Sequence, residues 1–238
     1  PLNGGPETDQ DIILTKANLN NEKDPPKIAP KTPSIKNRDD LTAQEVLILT
    51  SWEQEDAPQL VGLYVEPNLG GMRIWIHSPS VSERINLSSN LDNWLRERSQ
   101  SICLGHRWRP LLNKELSESC VFQIGNVKEA ISVCLDVNKE GELIDWNFCL
   151  SNIKPACVIT TEHLNALSER KPRSRTLPTL LKPIKSHIDQ LKSVLYTANL
   201  LQQYELNQGF IELDLPNPEL NDLKDLLKAN PYTSTRNW

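Results

Sequence analysis

Ala130-Ile131-Ser132-Val133-Cys134-Leu135-Asp136-Val137-Asn138-Lys139-Glu140-Gly141-Glu142-Leu143-Ile144-Asp145-Trp146-Asn147-Phe148-Cys149-Leu150 is the stretch from which the fold is read. Ile131, Val133, Leu135 and Val137 alternate with small or polar residues, and so do Ile144, Trp146, Phe148 and Leu150. A period of two places each set on one face of a strand. Asn138-Lys139-Glu140-Gly141 between them supplies a glycine-containing loop, so the whole is a β-hairpin.

Working outward, Val46-Leu47-Ile48-Leu49 is a short apolar run suited to a buried strand, and Leu60–Val65 is a second. Gly70-Gly71 marks a turn before the alternating Met72–His77. Ser89 or Asn90 can cap a short helix over Leu91–Arg98. Downstream, Thr160 or Thr161 opens a helix through Leu164 and Leu167. Leu180/Leu181, Ile184, Ile188, Leu191, Val194/Leu195, Ala198 and Leu201 then form one long stripe at three–four spacing, with Gly209 as its C′ stop. Pro183 is expected near the first turn of that helix or at a kink. Phe210–Leu215 reads as a short strand, and Asn217-Pro218-Glu219 opens a last helix toward Leu227. Strands before helices imply an α+β fold: a mixed or antiparallel sheet followed by packed helices, one of them long and amphipathic, around a single core.

Composition sets bounds. The 238 residues are 38% apolar and 24% charged, which suits a globular chain able to bury a real core. No run of about 18 apolar residues occurs, which excludes a spanning helix. Pro1-Leu2-Asn3-Gly4-Gly5-Pro6 lacks the basic and apolar regions of a signal peptide. The absence of an initiating Met is expected of a processed or excised piece. Residues 1–37, rich in Pro, Asn, Lys and Asp, read as a linker or surface arm, and residues 38–238 as the folded domain. The five cysteines (Cys103, Cys120, Cys134, Cys149, Cys157) include no C-x-x-C pair. Free, mostly buried thiols in the cytoplasm, or an equivalent reducing compartment such as an organelle stroma, are therefore expected.

Net charge is −5, so a nucleic-acid partner would have to be met by local concentrations of basic residues. Two exist. Arg96, Arg98, Arg107 and Arg109 interleave with His106 and Trp108; Arg170, Lys171, Arg173 and Arg175, then Lys182 and Lys185, form the second. They suit phosphates, with Trp108 as a stacking surface, or else a solvated face balanced by nearby acids. His77, His106, His163 and His187 show no metal-ligand spacing, and no phosphate loop, dinucleotide fingerprint or nucleophile elbow is present.

Arg38-Asp39-Asp40-Leu41-Thr42 followed by Thr50–Val65 resembles the opening of the catalytic RNB domain of the ribonuclease II/R family, R-x-D-L and then T-I-D-P-x-x-A-x-D-[IL]-D-D-A-L. The similarity continues through Ile76-His77 to Val81-Ser82 (V-H-I-A-D-V-S) and Ser101–Leu112 (S-V-Y-L-P-x-R-x-I-P-M-L), with Leu116-Ser117 after it. It runs on through the hairpin, with Ala130-Ile131-Ser132, Gly141, Phe148, Ser151 and Ile153 in place, to Gly209–Asp214 (G-A-I-D-F-D). It spans roughly Arg38 to Leu220; no one motif is specific, but their order and spacing together are.

The resemblance implies Mg²⁺-dependent hydrolysis of single-stranded RNA from the 3′ end, with clustered aspartates holding the metal. Laid on the motif without a gap, the acid positions are Trp52, Pro58, Leu60 and Val61, none of which offers a side-chain oxygen. The local acids Glu53, Glu55 and Asp56 do not reach the required spacing by any short slip. Cys103 stands where the family has an RNA-stacking tyrosine, and the family's later arginine and flanking OB-type domains are not among these residues. The expectation is a catalytically degenerate domain that still binds single-stranded RNA, with no metal or other cofactor and no membrane. The alternatives are an active 3′–5′ exoribonuclease with rearranged ligands, for which Mg²⁺ would be the cofactor, and a protein-interaction scaffold on the same fold.

Overall fold

A computed structural model describes residues 12–13, 15–16, 25–27, 29–35, 37–50, 61–104, 107–170 and 176–211, with the side chains of 102–109 excepted. Nine strands and four α-helices are formed among them: β1 Asp39–Asp40, β2 Val46–Thr50, β3 Gly62–Asn68, β4 Gly71–Pro79, α1 Asn90–Arg98, β5 Ile102–Leu104, β6 Arg107–Arg109, α2 Lys114–Cys120, β7 Lys128–Asn138, β8 Leu143–Ile153, β9 Pro155–Thr160, α3 Thr161–Ser168 and α4 Ile188–Asn207. A mixed seven-stranded sheet runs β1-β8-β7-β4-β3-β2-β9, and β5 and β6 make a separate ribbon.

The hairpin is where the alternation puts it. Leu135 pairs with Trp146, Val133 with Phe148 and Ile131 with Leu150 across β7 and β8. Asn138 ties the turn, its Oδ1 accepting from the N–H groups of Glu140 (3.0 Å) and Glu142 (2.9 Å). Gly141, at φ 89°, gives this turn its left-handed residue. The chain order departs from strands-then-helices, since α1 and α2 interrupt the sheet between β4 and β7.

Period two divides the core. One sheet face carries Leu47, Val65 and Ile74, which pack with Leu167 of α3 and with Leu181, Ile184, Ile188, Leu191 and Val194. The other face carries Val46, Ile48, Ala130 and Ile153, closed by Phe122. Leu91, Leu116 and Cys120 make a small third cluster between α1 and α2. The single core of the sequence reading is thus three clusters, because a sheet buried on both faces separates what it buries.

Helix limits follow local chemistry. Ser89 caps α1 by accepting from the Asp92 N–H (3.2 Å), and Asn113 caps α2 by accepting from Leu116 (2.9 Å). Thr160 and His163 form a reciprocal capping box at α3. The long apolar stripe is not one helix. Pro183 stands between two 3₁₀ turns, Thr179–Leu181 and Lys185–His187, and α4 begins only at Ile188. Proline has no N–H to give a continuing helix, so Leu181 and Ile184 are buried from turns instead. The far end stops as expected: Gly209 (φ 86°) donates to Leu206 O and Phe210 to Glu205 O, the two bonds of a Schellman motif. The strand read at Phe210–Leu215 and the helix read toward Leu227 lie almost wholly outside the described residues.

The residues before Arg38 touch the rest of the chain where they are described. Lys31 N–H donates to Arg84 O, Asn113 Nδ2 donates to Pro26 O (3.2 Å), and Pro33 is buried. Arg38 then fixes the first strand. Its side chain is 1% exposed and pairs with Glu83 while donating to Ser34 O (2.7 Å), Ala130 O (3.5 Å) and Ser151 O (3.2 Å). Burial alone would raise the Glu83 carboxyl, but hydrogen bonds from Ser80 and Arg38 outweigh it and hold the group below its ordinary value. Asp40 turns the chain into β2 by accepting from the Thr42 N–H (3.0 Å) and hydroxyl (2.6 Å).

A second buried polar group lies under the sheet. His77 Nδ1 is 2.7 Å from Ser132 Oγ, which is 2.6 Å from Ser151 Oγ, and all three residues are 0% exposed. Burial lowers the His77 pKa from 6.5 to about 4. The unfolded chain therefore takes up a proton below pH 6.5 that the folded chain refuses until about pH 4. Stability is fully present above the unfolded value and is lost progressively across that window, by about 3 kcal/mol in total. Urea unfolding at pH 7 and at pH 5 should show this slope, and His77→Gln should flatten it; an unchanged slope in the variant refutes the assignment.

Candidate functional site

The candidate site is the connection between β2 and β3, where the acid positions implied by the resemblance fall. Both its ends are anchored. Thr50 closes β2 opposite Thr160, the residue that caps α3. Gly62 opens β3 opposite His77. Trp52, Pro58 and Leu60 lie outside the described residues. Val61 is half-buried, and its carbonyl accepts from the Leu49 N–H (3.4 Å).

Hard Mg²⁺ takes oxygen ligands. A tryptophan, a proline, a leucine and a valine supply none from their side chains, and the Val61 carbonyl is already bonded to backbone. The residues at these four places therefore do not fit the metal. Among the described residues no three His, Cys, Asp or Glu side chains group so as to hold one elsewhere.

The histidines have other work. His77 is in the buried polar group, His163 closes the α3 capping box, and His187 Nδ1 stands 2.6 Å from Glu45 Oε1, tying the start of α4 to the start of β2. His106 lies outside the described residues. Thiol burial raises Cys120, Cys134 and Cys157, and raises Cys149 to about 11, so all four are held as thiols at neutral pH. Cys120 and Cys134 are buried as expected, whereas Cys149 and Cys157 are only half-buried.

The basic residues sit on separate elements. Arg96 and Arg98 occupy the last turn of α1, where cations suit the helix dipole. Arg96 is exposed and bonds Asp92 at 3.1 Å; Arg98 lies over the Trp94 ring, 5.2 Å from its centroid. The β5–β6 ribbon sets Arg107 opposite Leu104, Trp108 opposite Cys103 and Arg109 opposite Ile102. Arg170 is half-buried after α3, its N–H bonded to Leu167 O, and Lys182 and Lys185 are exposed on the turns before α4. Lys171, Arg173 and Arg175 lie outside the described residues.

Sequence reasoning gave His77, Ser132 and Ser151 no role, since such residues occur in any chain of this size. The available signal was their position: each matches a family motif letter, and the fold brings all three together.

An α+β domain with this sheet order and these motif residues at its centre defines the class, and known proteins agree with it. The RNB domain family model matches residues 38–235, and the chain belongs to that family. Over 152 residues it is 26% identical to ribonuclease R of Chlamydia trachomatis, a match covering 63% of this chain and 22% of that protein. It therefore spans about a fifth of that relative's length. Ribonuclease R of Mycoplasma genitalium, solved with ribose-methylated single-stranded RNA, superposes with a TM-score of 0.62 at 17% identity, over 85% of this chain and 29% of that one. Yeast Ssd1, described as a pseudonuclease, gives 0.66 at 19% identity, over 90% of this chain and 26% of that one. The fold is that of the ribonuclease II/R family, whose ribonucleases are generally Mg²⁺-dependent. No helix among the described residues is long and apolar enough to cross a membrane.

Proposed function

We propose that this chain is an RNB domain that associates with single-stranded RNA through its basic residues and carries out no metal-dependent hydrolysis. The observation that supports the reading is in the sequence: aligned without a gap on the family motif, the connection between β2 and β3 has Trp52, Pro58, Leu60 and Val61 at the acid positions. Removing charge and adding apolar side chains favours packing over a metal cage. Ssd1 supports the reading, being a pseudonuclease of the same fold, and the Mycoplasma enzyme supports RNA as the partner, having been solved with RNA bound. Arg96, Arg98, Arg107, Arg109, Arg170, Lys171, Arg173 and Arg175 are the phosphate contacts, and His106 and Trp108 lie among them as polar and stacking contacts. Trp108, directly across from Cys103, would take the base that the family stacks on tyrosine.

The test is an anisotropy titration with a fluorescent single-stranded RNA. Eight phosphate contacts on a single strand predict roughly a two-thousandfold loss of affinity between about 50 and 200 mM salt. Arg173→Glu with Arg175→Glu should weaken binding for every RNA sequence alike. Binding absent at low salt refutes the RNA reading and leaves the scaffold. Incubation with RNA and Mg²⁺ or Mn²⁺ should leave the 3′ end intact; stepwise shortening that EDTA abolishes would mean that other carboxylates have taken over the metal.

A further inference from the structure

β8 has an open edge. Its outer neighbour is β1, which pairs with it at Ser151 and Asn152, and from Leu143 to Leu150 no strand lies beside it among the described residues. Every residue from Leu143 to Phe148 is exposed. Ile144, Trp146, Phe148 and Leu150 are 63%, 56%, 58% and 36% exposed, and the Trp146 and Phe148 rings meet edge to face with centroids 5.4 Å apart. An unpaired edge is a template for another strand, and chains that avoid such pairing place lysine or proline along it. Residues 143–150 hold neither, and Asp145 is their one charge.

Backbone direction fixes which groups the edge offers. Asn152 O accepts from the Leu41 N–H on the β1 side (2.9 Å). With a period of two, Leu150, Phe148 and Trp146 also turn their N–H and C=O groups outward, away from β7. Trp146 bears this out, since its N–H turns back to Asp145 Oδ1 (2.9 Å) instead of entering the ladder.

We propose that β8 is the edge through which two copies of this chain pair, strand against antiparallel strand about a two-fold axis at Asn147. A two-fold contact needs a surface complementary to itself, and Ile144-Asp145-Trp146-Asn147-Phe148-Cys149-Leu150 is matched to itself in that arrangement. Read about Asn147, Trp146 faces Phe148 of the second copy, Ile144 faces Leu150, and Asp145 faces Cys149. Aromatic meets aromatic, aliphatic meets aliphatic, and no carboxylate stands opposite another. The two Asp145 residues are kept about 13 Å apart along the ladder, beyond the screening length at physiological salt. The outward groups fit the same register. Trp146 and Phe148 both present N–H and C=O to the edge, so they make hydrogen-bonded pairs, about four bonds at the centre. In them the Trp146 N–H passes from Asp145 to the Phe148 carbonyl of the second copy. A strand from an unrelated protein has no cause to satisfy this internal match. The contact uses β8 alone and none of the basic residues, so it stands apart from RNA binding and from the fate of the metal site.

The measurement is sedimentation equilibrium of the full 238-residue chain. Small interfaces dissociate at micromolar concentration, so the mass should rise from that of one chain toward that of two between about 1 and 300 μM. Asn147→Asp sets two carboxylates directly across the axis, each diagonal to Asp145 of the other copy, and should raise the dissociation constant at least about tenfold at low salt. Asn147 is exposed, so the variant should fold, which circular dichroism checks. Asn147→Cys reports the register. Antiparallel neighbours outside the hydrogen-bonded pairs have Cα atoms about 4.5 Å apart, within disulfide reach. Copper phenanthroline should give a 147–147 disulfide between chains, located by tandem mass spectrometry, at least about fivefold faster than it links chains through Glu140→Cys in the exposed β7–β8 turn. A single-chain mass at every concentration overturns the proposal and leaves the edge to a strand from another protein. A dimer that Asn147→Asp leaves as tight as before, or linkage at position 147 no faster than at position 140, overturns it too, by putting the contact on another face.

Discussion

Arg38→Met is expected to destabilise the domain by about 3–5 kcal/mol, the cost of breaking a buried ion pair from one side. The change removes the cation bonded to Glu83 and the side-chain donor to the Ala130 and Ser151 carbonyls. Methionine matches the stem in volume, so packing loss is small and the electrostatic contribution is isolated. Glu83→Gln removes the orphaned charge. The double variant should therefore be less destabilised than the sum of the singles, the mark of two groups acting as a unit. Chemical denaturation of the four proteins closes the cycle; additive losses would refute the coupling.

Gly71→Ala is expected to be nearly as damaging for a steric reason. A Cβ there would overlap the Val137 carbonyl oxygen and stand 2.8 Å from the Asn138 Cα, both backbone atoms of the neighbouring strand. Neither can rotate away as a side chain would. Restoring the contact means parting β4 from β7 where Gly71 pairs with Asn138, at a cost of about 3 kcal/mol or more. Gly125→Ala is the comparison. Its φ of 78° carries left-handed strain but its Cβ would meet nothing, so only about 1–2 kcal/mol should be lost. Equal melting shifts in the two variants would show that the overlap at position 71 is relieved without parting the strands, and refute the steric argument.

The elements that could be read from the sequence are those whose signal is local. Alternation in Ile131–Val137 and Ile144–Leu150, the caps at Ser89 and Thr160, and the stop at Gly209 all report on neighbours a few residues away. The rest depends on remote partners. Nothing in Arg38 announces that its acceptors lie on β7 and β8, although the R-x-D-L resemblance marked the residue. Alternation also says which residues share a face, not whether anything covers it, so the exposure of Trp146 and Phe148 was invisible. Pro183 is expected near the first turn of one helix or at a kink in it, whereas it separates two 3₁₀ turns. At the candidate site the proposal of Trp52, Pro58, Leu60 and Val61 as the acid positions rests on the aligned register alone. A basic cluster, by contrast, cannot be read as a surface: Arg96 and Arg98 belong to a helix end and Arg170 to the close of α3.

The order in which the sheet is completed has a bearing on how the chain is made. Its two N-terminal strands, β1 and β2, pair in parallel with β8 and β9, so Arg38 meets Ser151 across 113 residues. The β3–β4 and β7–β8 hairpins, with their short connections, can close early, while loop-closure entropy delays the parallel pairs. During synthesis β2 can pair early with β3, whereas β1 must wait for β8, and the other edge of β2 for β9, until Thr160 has been made. In this domain the first strand is seated only by strands made more than a hundred residues later.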